Sequence, residues 1–151
     1  NDVRGLFVAG LGFGVNRFRG VGVAGLGFGV DSFKGIGIAG LGLGGDDIHG
    51  LVVGGLGIGG DSVSGLSIGG YTVHCAHDLT GLAIAGGRIR AENITGVSIG
   101  AFNRGRRTVT GLQLGIFNMA RDLKGVQIGV LNYAGNNPSG LRWLPGINLH
   151  L

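Results

Sequence analysis

The chain reads as an all-β protein: a single β-solenoid of about nine 15-residue coils with a short C-terminal cap. Three observations carry this reading. Glycines recur at Gly5, Gly20, Gly35, Gly50, Gly65, Gly81, Gly96, Gly111 and Gly125, a period of 15 with one unit a residue longer and one a residue shorter. The first and third residues after each of these glycines are aliphatic in all nine units, from Leu6 and Val8 to Val126 and Ile128. That alternation has period 2, the period of a strand rather than of a helix. Finally, 37 of the 151 residues are glycine, yet there is no Gly-X-Y triplet period and hydrophobic residues make up 44% of the chain. The glycine is therefore positional, unlike that of collagen or a flexible linker.

Each unit divides into three short segments. The segment after the glycine is expected to bury its two aliphatic columns and to turn outward the residues between them: Phe7, Gly22, Gly37, Val52, Ser67, Ala83, Ser98, Gln113 and Gln127. Small residues follow, such as Ala24-Gly25, Ala39-Gly40 and Gly54-Gly55, and suit a tight corner. The second segment carries apolar pairs such as Leu11 with Phe13 and Leu26 with Phe28. Its outward column is expected to run Gly12, Gly27, Gly42, Gly57, Thr72, Arg88, Asn103, Asn118, Asn132. A polar corner with one inward apolar residue completes the coil, as in Asp31-Ser32-Phe33-Lys34 and Asp46-Asp47-Ile48-His49. Stacked at the strand spacing of ~4.8 Å, nine coils make a rod of roughly 43 Å, and the pattern is compatible with either hand. Residues 1–140 are expected to be solenoid, glycine-faced over 1–70 and more polar-faced over 71–140, with the cap at 141–151.

Composition bounds the function classes. The formal charge of +4 is mild, and Arg88, Arg90, Arg104, Arg106 and Arg107 hold much of it in one region. These arginines read as a solvated basic rim, because neither a run of interleaved aromatics nor a nucleic-acid motif is present; a nucleic-acid partner is not expected. The lone Cys75 forms no internal disulfide. No apolar run reaches the ~18 residues of a membrane helix. A start at Asn1 without methionine is compatible with removal of a leader. Because Asn1 to Arg4 reads as the last corner of a unit, end-to-end stacking is expected as well.

Candidate chemistry is sparse. His74, Cys75, His77 and Asp78 are the densest group of metal-capable side chains and lie in the unit with the extra residue. Alternate side chains diverge along a strand, so these four are not expected to converge tetrahedrally, and no metal is assigned to them. Asp31, Asp46 and Asp61 occupy equivalent corners and should stack into a carboxylate column, where calcium is the possible cofactor. Aspartate at a tight turn also bonds its own backbone, and the spacing differs from that of calcium-binding β-rolls. The G-x-G fragments lack the helix start of a phosphate-binding loop, and no nucleophile-base arrangement stands out, so an enzyme is not expected. The outward glycines are the strongest hint: Gly12, Gly22, Gly27, Gly37, Gly42 and Gly57 are expected to form a flat interaction face, since glycine weakens a strand unless another surface approaches closely.

The last units, GVSIGAFN, GLQLGIFN and GVQIGVLN, resemble the G-x-Q-x-G-x-x-N units of a family of bacterial cell-surface repeat proteins, and LPGINLHL resembles their apolar endings. A weaker likeness to pentapeptide-repeat solenoids appears in DSFKGIGIAGLGLGG. The first resemblance implies a bacterial envelope, outer-membrane or cell-surface location and no catalysis. The preferred reading is a non-enzymatic structural protein of an envelope or surface assembly. Its partner would be another protein, a further copy of itself in a homo-oligomer, an adjoining domain or a membrane surface. Two alternatives are an outer-membrane β-barrel, suggested by GINLHL, and a flat-face binder of ice or polysaccharide.

Overall fold

The computed structural model describes residues Asn1–Leu151. It is a β-solenoid of about eight turns of ~15 residues, closed by a short antiparallel cap. The strands are β1 (Asp2–Ala9), β2 (Gly12–Ala24), β3 (Gly27–Ala39), β4 (Gly42–Gly54), β5 (Gly57–Gly69), β6 (Thr72–Ala91), β7 (Asn93–Leu114), β8 (Phe117–Ala134) and β9 (Trp143–His150). They form one sheet in sequence order, with β1 to β8 parallel and β9 antiparallel to β8. An up-and-down barrel needs antiparallel neighbours throughout, so the chain does not have that architecture.

Three faces make up each turn. Face A runs from Gly5 to Ala9 and its equivalents, face B from Gly12 to Val15, and face C from Arg17 to Arg19. The glycine column joins face C to face A with φ between +104° and +146°. A side chain on Gly20, Gly35 or Gly50 would also strike the carbonyl oxygen of the glycine one turn earlier. The 15-residue glycine period is thus the period of one compulsory corner. Between faces A and B the chain bends at Gly25-Leu26, Gly40-Leu41 and Gly55-Leu56, as the small residues there led one to expect. The additional residue of the unit from Gly65 to Gly81 lies in β6, where Gly60 pairs with Cys75 but Ser62 with Asp78.

The interior differs from the sequence expectation in its parity. Face A turns its aliphatic columns outward: Ile36 and Ile38 are 41% and 42% exposed. The column between them turns inward, so that Val52, Ser67, Ala83, Ser98, Gln113 and Gln127 are buried together with Gly22 and Gly37. The cause is the width of the coil. A three-sided turn with about five residues per side is filled by one large side chain from face B and one from face C. Face A must then supply whatever volume is left.

That accounting can be followed turn by turn. The buried set of successive turns reads Phe28, Phe33 and Gly37, then Leu43, Ile48 and Val52, then Ile58, Val63 and Ser67, and further on Ile89, Ile94 and Ser98. A Cβ on Gly37 would lie 2.8 Å from Leu43 Cδ1 and Phe28 Cζ and 2.9 Å from Phe33 Cζ. The phenylalanines stack along the axis, Phe13 on Phe28 with ring centroids 4.9 Å apart and Phe18 on Phe33 at 5.5 Å. The inward apolar residue expected of the polar corner is found at Phe33, Ile48, Val63 and Ile94.

Face B brings a second correction. Arg88 pairs with Phe102 and Ile89 with Asn103, so the C-terminal asparagines continue the inward column of Phe28, Leu43, Ile58 and Val73, not the outward glycine column. Asn103, Asn118 and Asn132 are buried and bond in series: Asn103 Nδ2 donates to Asn118 Oδ1 at 2.7 Å, and Asn118 Nδ2 to Asn132 Oδ1 at 2.8 Å. Gln127 Nε2 likewise donates to Gln113 Oε1 at 2.8 Å. The amide ladders read from the sequence exist, but they line the core.

Candidate functional site

The surface most unlike that of an ordinary soluble domain is face A. Alternation along its strands sends the first and third residues after each corner glycine to solvent, giving two parallel columns of nine aliphatic side chains. A third apolar column, Leu11, Leu26, Leu41, Leu56 and Tyr71, lies along the bend to face B and is exposed throughout. The cap extends the face, since β9 pairs Leu149 with Val126 and Ile147 with Ile128, and both β9 residues are more than half exposed. Six of the eighteen aliphatic residues, Leu6, Val8, Val21, Ile36, Ile38 and Ile128, are exposed and the other twelve are half-buried. The apolar face is therefore continuous along the whole rod, where a monomer ordinarily scatters its exposed apolar residues singly. No charged residue interrupts the two columns.

Charge is distributed around this face asymmetrically. The column bordering it on the face C side reads Arg4, Arg19, Lys34, His49, Ser64, Thr80, Thr95, Thr110, Lys124, basic or neutral throughout. All eight acidic residues lie elsewhere: Asp31, Asp46, Asp61 and Glu92 at the corner between faces B and C, and Asp2, Asp47, Asp78 and Asp122 next to that corner on face C. That corner is opposite face A. The rod is amphipathic in cross-section, with an apolar face, a basic border and acidic groups on the far side.

The residues singled out from the sequence are placed as follows. Gly22 and Gly37 are buried under phenylalanine rings and are not part of any exterior face. Gly12, Gly27, Gly42 and Gly57 do face outward on face B, and a Cβ on Gly27 would meet the Gly42 carbonyl oxygen at 2.5 Å. The expected glycine interaction face therefore reduces to one column, beside the much larger aliphatic face that hydrophobicity alone assigned to the core. The signal that could have shown this was the inner volume, because two phenylalanines and two aliphatic columns cannot share one narrow turn.

Among the metal-capable residues, Cys75 points inward and is 2% exposed, while His74, His77 and Asp78 are exposed. The Cys75 thiol donates to the carbonyl oxygens of Asp61 and Asp78 at 2.9 and 3.0 Å. Burial pushes this thiol's pKa up, so it stays protonated and unreactive. Asp31 accepts from Asn16 Nδ2 at 2.8 Å, and it borders one shallow groove together with Asp46 and Asp47. Nowhere do three His, Cys, Asp or Glu side chains converge as ligands of one ion. His74 has its pKa lowered by partial burial and then by Arg90, Arg106 and Arg88. No helix is long and apolar enough to cross a membrane. Comparison of the chain with protein families, with curated proteins and with solved structures finds no significant match.

Proposed function

We propose that the protein is a non-enzymatic structural solenoid of a bacterial envelope or surface assembly, and that it associates with an anionic lipid surface through face A. The observation that carries this is the uninterrupted pair of nine-residue aliphatic columns on the exterior. Such a face gains free energy on leaving water at roughly 25 cal/mol per Å². It does so without exposing unpaired backbone, because every strand from β2 to β8 is bonded on both sides. The basic border at Arg4, Arg19, Lys34 and Lys124 favours an anionic headgroup layer, as in interfacial amphipathic elements.

The same border disfavours a second copy as the partner. Two A faces packed together would bring these basic columns near each other with no carboxylate between them. The envelope location rests on the resemblance of the GLQLGIFN and GVQIGVLN units to bacterial surface repeats.

The test is flotation of the purified protein with vesicles. Association with vesicles containing phosphatidylglycerol, weaker association with neutral vesicles, and loss of both in a double variant Ile38→Glu/Ile68→Glu of unchanged circular dichroism are the expected results. Failure to float, or a dimer in sedimentation that the same double variant abolishes, would overturn the lipid reading.

A further inference from the structure

Face B of the C-terminal turns carries a feature that the lipid reading of face A does not use. Adjacent turns place Arg88 beside Phe102, Arg90 beside Arg104, Phe102 beside Phe117 and Arg104 beside Met119. Arginines and aromatics of successive turns are thus interleaved in space. Together they line a groove of ≈ 450 Å³, the size of a small-ligand site. Tyr71 forms one wall: its ring covers Gly87, where a Cβ would lie 2.7 Å from Tyr71 Cδ2 and Cε2, so the glycine is what allows the ring to lie there. Phe102 and Phe117, stacked with centroids 5.1 Å apart and nearly parallel, also line the groove.

The guanidinium groups at this groove have no counter-ion. The only ion pair in the structure is Arg17 with Asp2, at 3.9 Å. Arg90 Nε is buried and has no hydrogen-bond partner. Burial and the positive charges of Arg104, Arg106 and Arg88 lower the Arg90 pKa, the mark of cations held together without an anion. Like charges gathered against an apolar wall are unfavourable unless a ligand neutralises them, and guanidinium forks match phosphate oxygens in geometry as well as charge.

We propose that this groove binds a phosphate ester bearing an apolar arm, with the phosphate held by Arg88, Arg90 and Arg104 and the arm packed against Tyr71, Phe102 and Phe117. A lipid headgroup and a free soluble ester share this chemistry. Neither source requires face A to meet a bilayer, so the site stands or falls separately from the lipid reading.

The experiment is calorimetric titration of the whole chain, without vesicles, with three probes: a short-chain phosphatidic acid below its micelle concentration, phenyl phosphate, and inorganic phosphate. Either ester is expected to bind at least tenfold more tightly than inorganic phosphate. Arg90→Gln and Arg104→Gln are each expected to weaken that binding about tenfold, whereas Arg121→Gln, at the corner between faces B and C, leaves it unchanged. Tighter binding of phosphatidic acid identifies a lipid headgroup and tighter binding of phenyl phosphate a soluble ester; both support the site. Because Arg90 is partly buried, the exposed Arg104→Gln keeps the test valid if Arg90→Gln unfolds. Equal affinity for inorganic phosphate, or ester binding that survives Arg104→Gln in the folded protein, would overturn the proposal.

Discussion

The N-terminal turns close around stacked phenylalanine rings and the C-terminal turns around amide ladders, although both have the same backbone and the same glycine corner. At one interior position Phe28 is replaced by Asn103, and at another Gly37 by Gln113. The difference shows that the coil constrains total volume per turn far more tightly than polarity. Apolar rings fill the turn by dispersion and area burial. Amides of similar total volume fill it just as well, provided each turn offers the next a hydrogen-bond partner. The ladders carry a visible cost: Asn103 Oδ1, where the asparagine ladder meets Ile89, and Gln113 Nε2 and Gln127 Oε1 in the glutamine pair are buried without a partner.

Substitutions can break this contrast, beginning with the ring stack. Phe33→Ala empties a site that is 0% exposed and is expected to cost roughly 3–5 kcal/mol, visible as a large drop in the thermal midpoint. Asn118→Leu keeps the heavy-atom count and branching but removes the middle of the ladder and strands Asn132 Oδ1, at an expected cost of about 1–3 kcal/mol. Amide exchange should locate that loss in β7 and β8, because solenoid turns are stabilised mainly by their neighbours.

Gly37→Val crowds Phe28, Phe33 and Leu43 and is expected to cost about 1–3 kcal/mol. Adding Phe28→Leu and Phe33→Ile copies the Leu43, Ile48 and Val52 turn and should restore most of the lost midpoint; a triple variant no better than Gly37→Val would refute the volume rule. Ile89→Asn would extend the ladder by one turn, donating to Asn103 Oδ1. It is expected to be milder than Ile58→Asn by about 1–2 kcal/mol in denaturant titration, since Ile58 has no amide neighbour.

The smallest effect sharpens the contrast between the exteriors. On face B the N-terminal turns carry Gly44 and Gly59 where the C-terminal turns carry His74, Arg90 and Arg104. With its pKa lowered, His74 contributes stability above the ordinary histidine value of about 6.5, and this is lost as pH falls through that value, because the unfolded chain takes up the proton more readily. Arg90→Gln removes the largest charge contribution, leaving burial and the smaller contributions of Arg106 and Arg88, and should raise the His74 pKa as read from its imidazole proton shifts. An unchanged pKa would show that the Arg90 charge does not act on it.

Much of this was legible before any coordinates. The corner glycines, the inward apolar residue of the polar corner and the additional residue near Cys75 are local features, and each appears in the chain as a one-residue signature at a fixed spacing. The candidate surfaces were less so. Ile36 and Ile38 look like core by every measure of hydrophobicity, and Gln113 and Asn118 look like surface, yet each lies on the opposite side. The groove draws its arginines and aromatics from several turns, Arg88 lying beside Phe102 of the next, so their interleaving depends on which residue of one coil pairs with which of the next. A bulge in β6 between Ala85 and Arg88 moved that pairing by one position.

The sequence by itself determined the period, the three-sided coil and the place of its compulsory corner, because a backbone with positive φ and no room for a Cβ can be met only by glycine. The tertiary structure decided which of two alternating sets of side chains faces inward. Both parities satisfy the strand's own geometry and both contain residues that can be buried. Only the stacked turns, with an interior too narrow for two phenylalanines and an aliphatic pair together, send Leu, Ile and Val to the outside and leave Gly, Ser and Gln within.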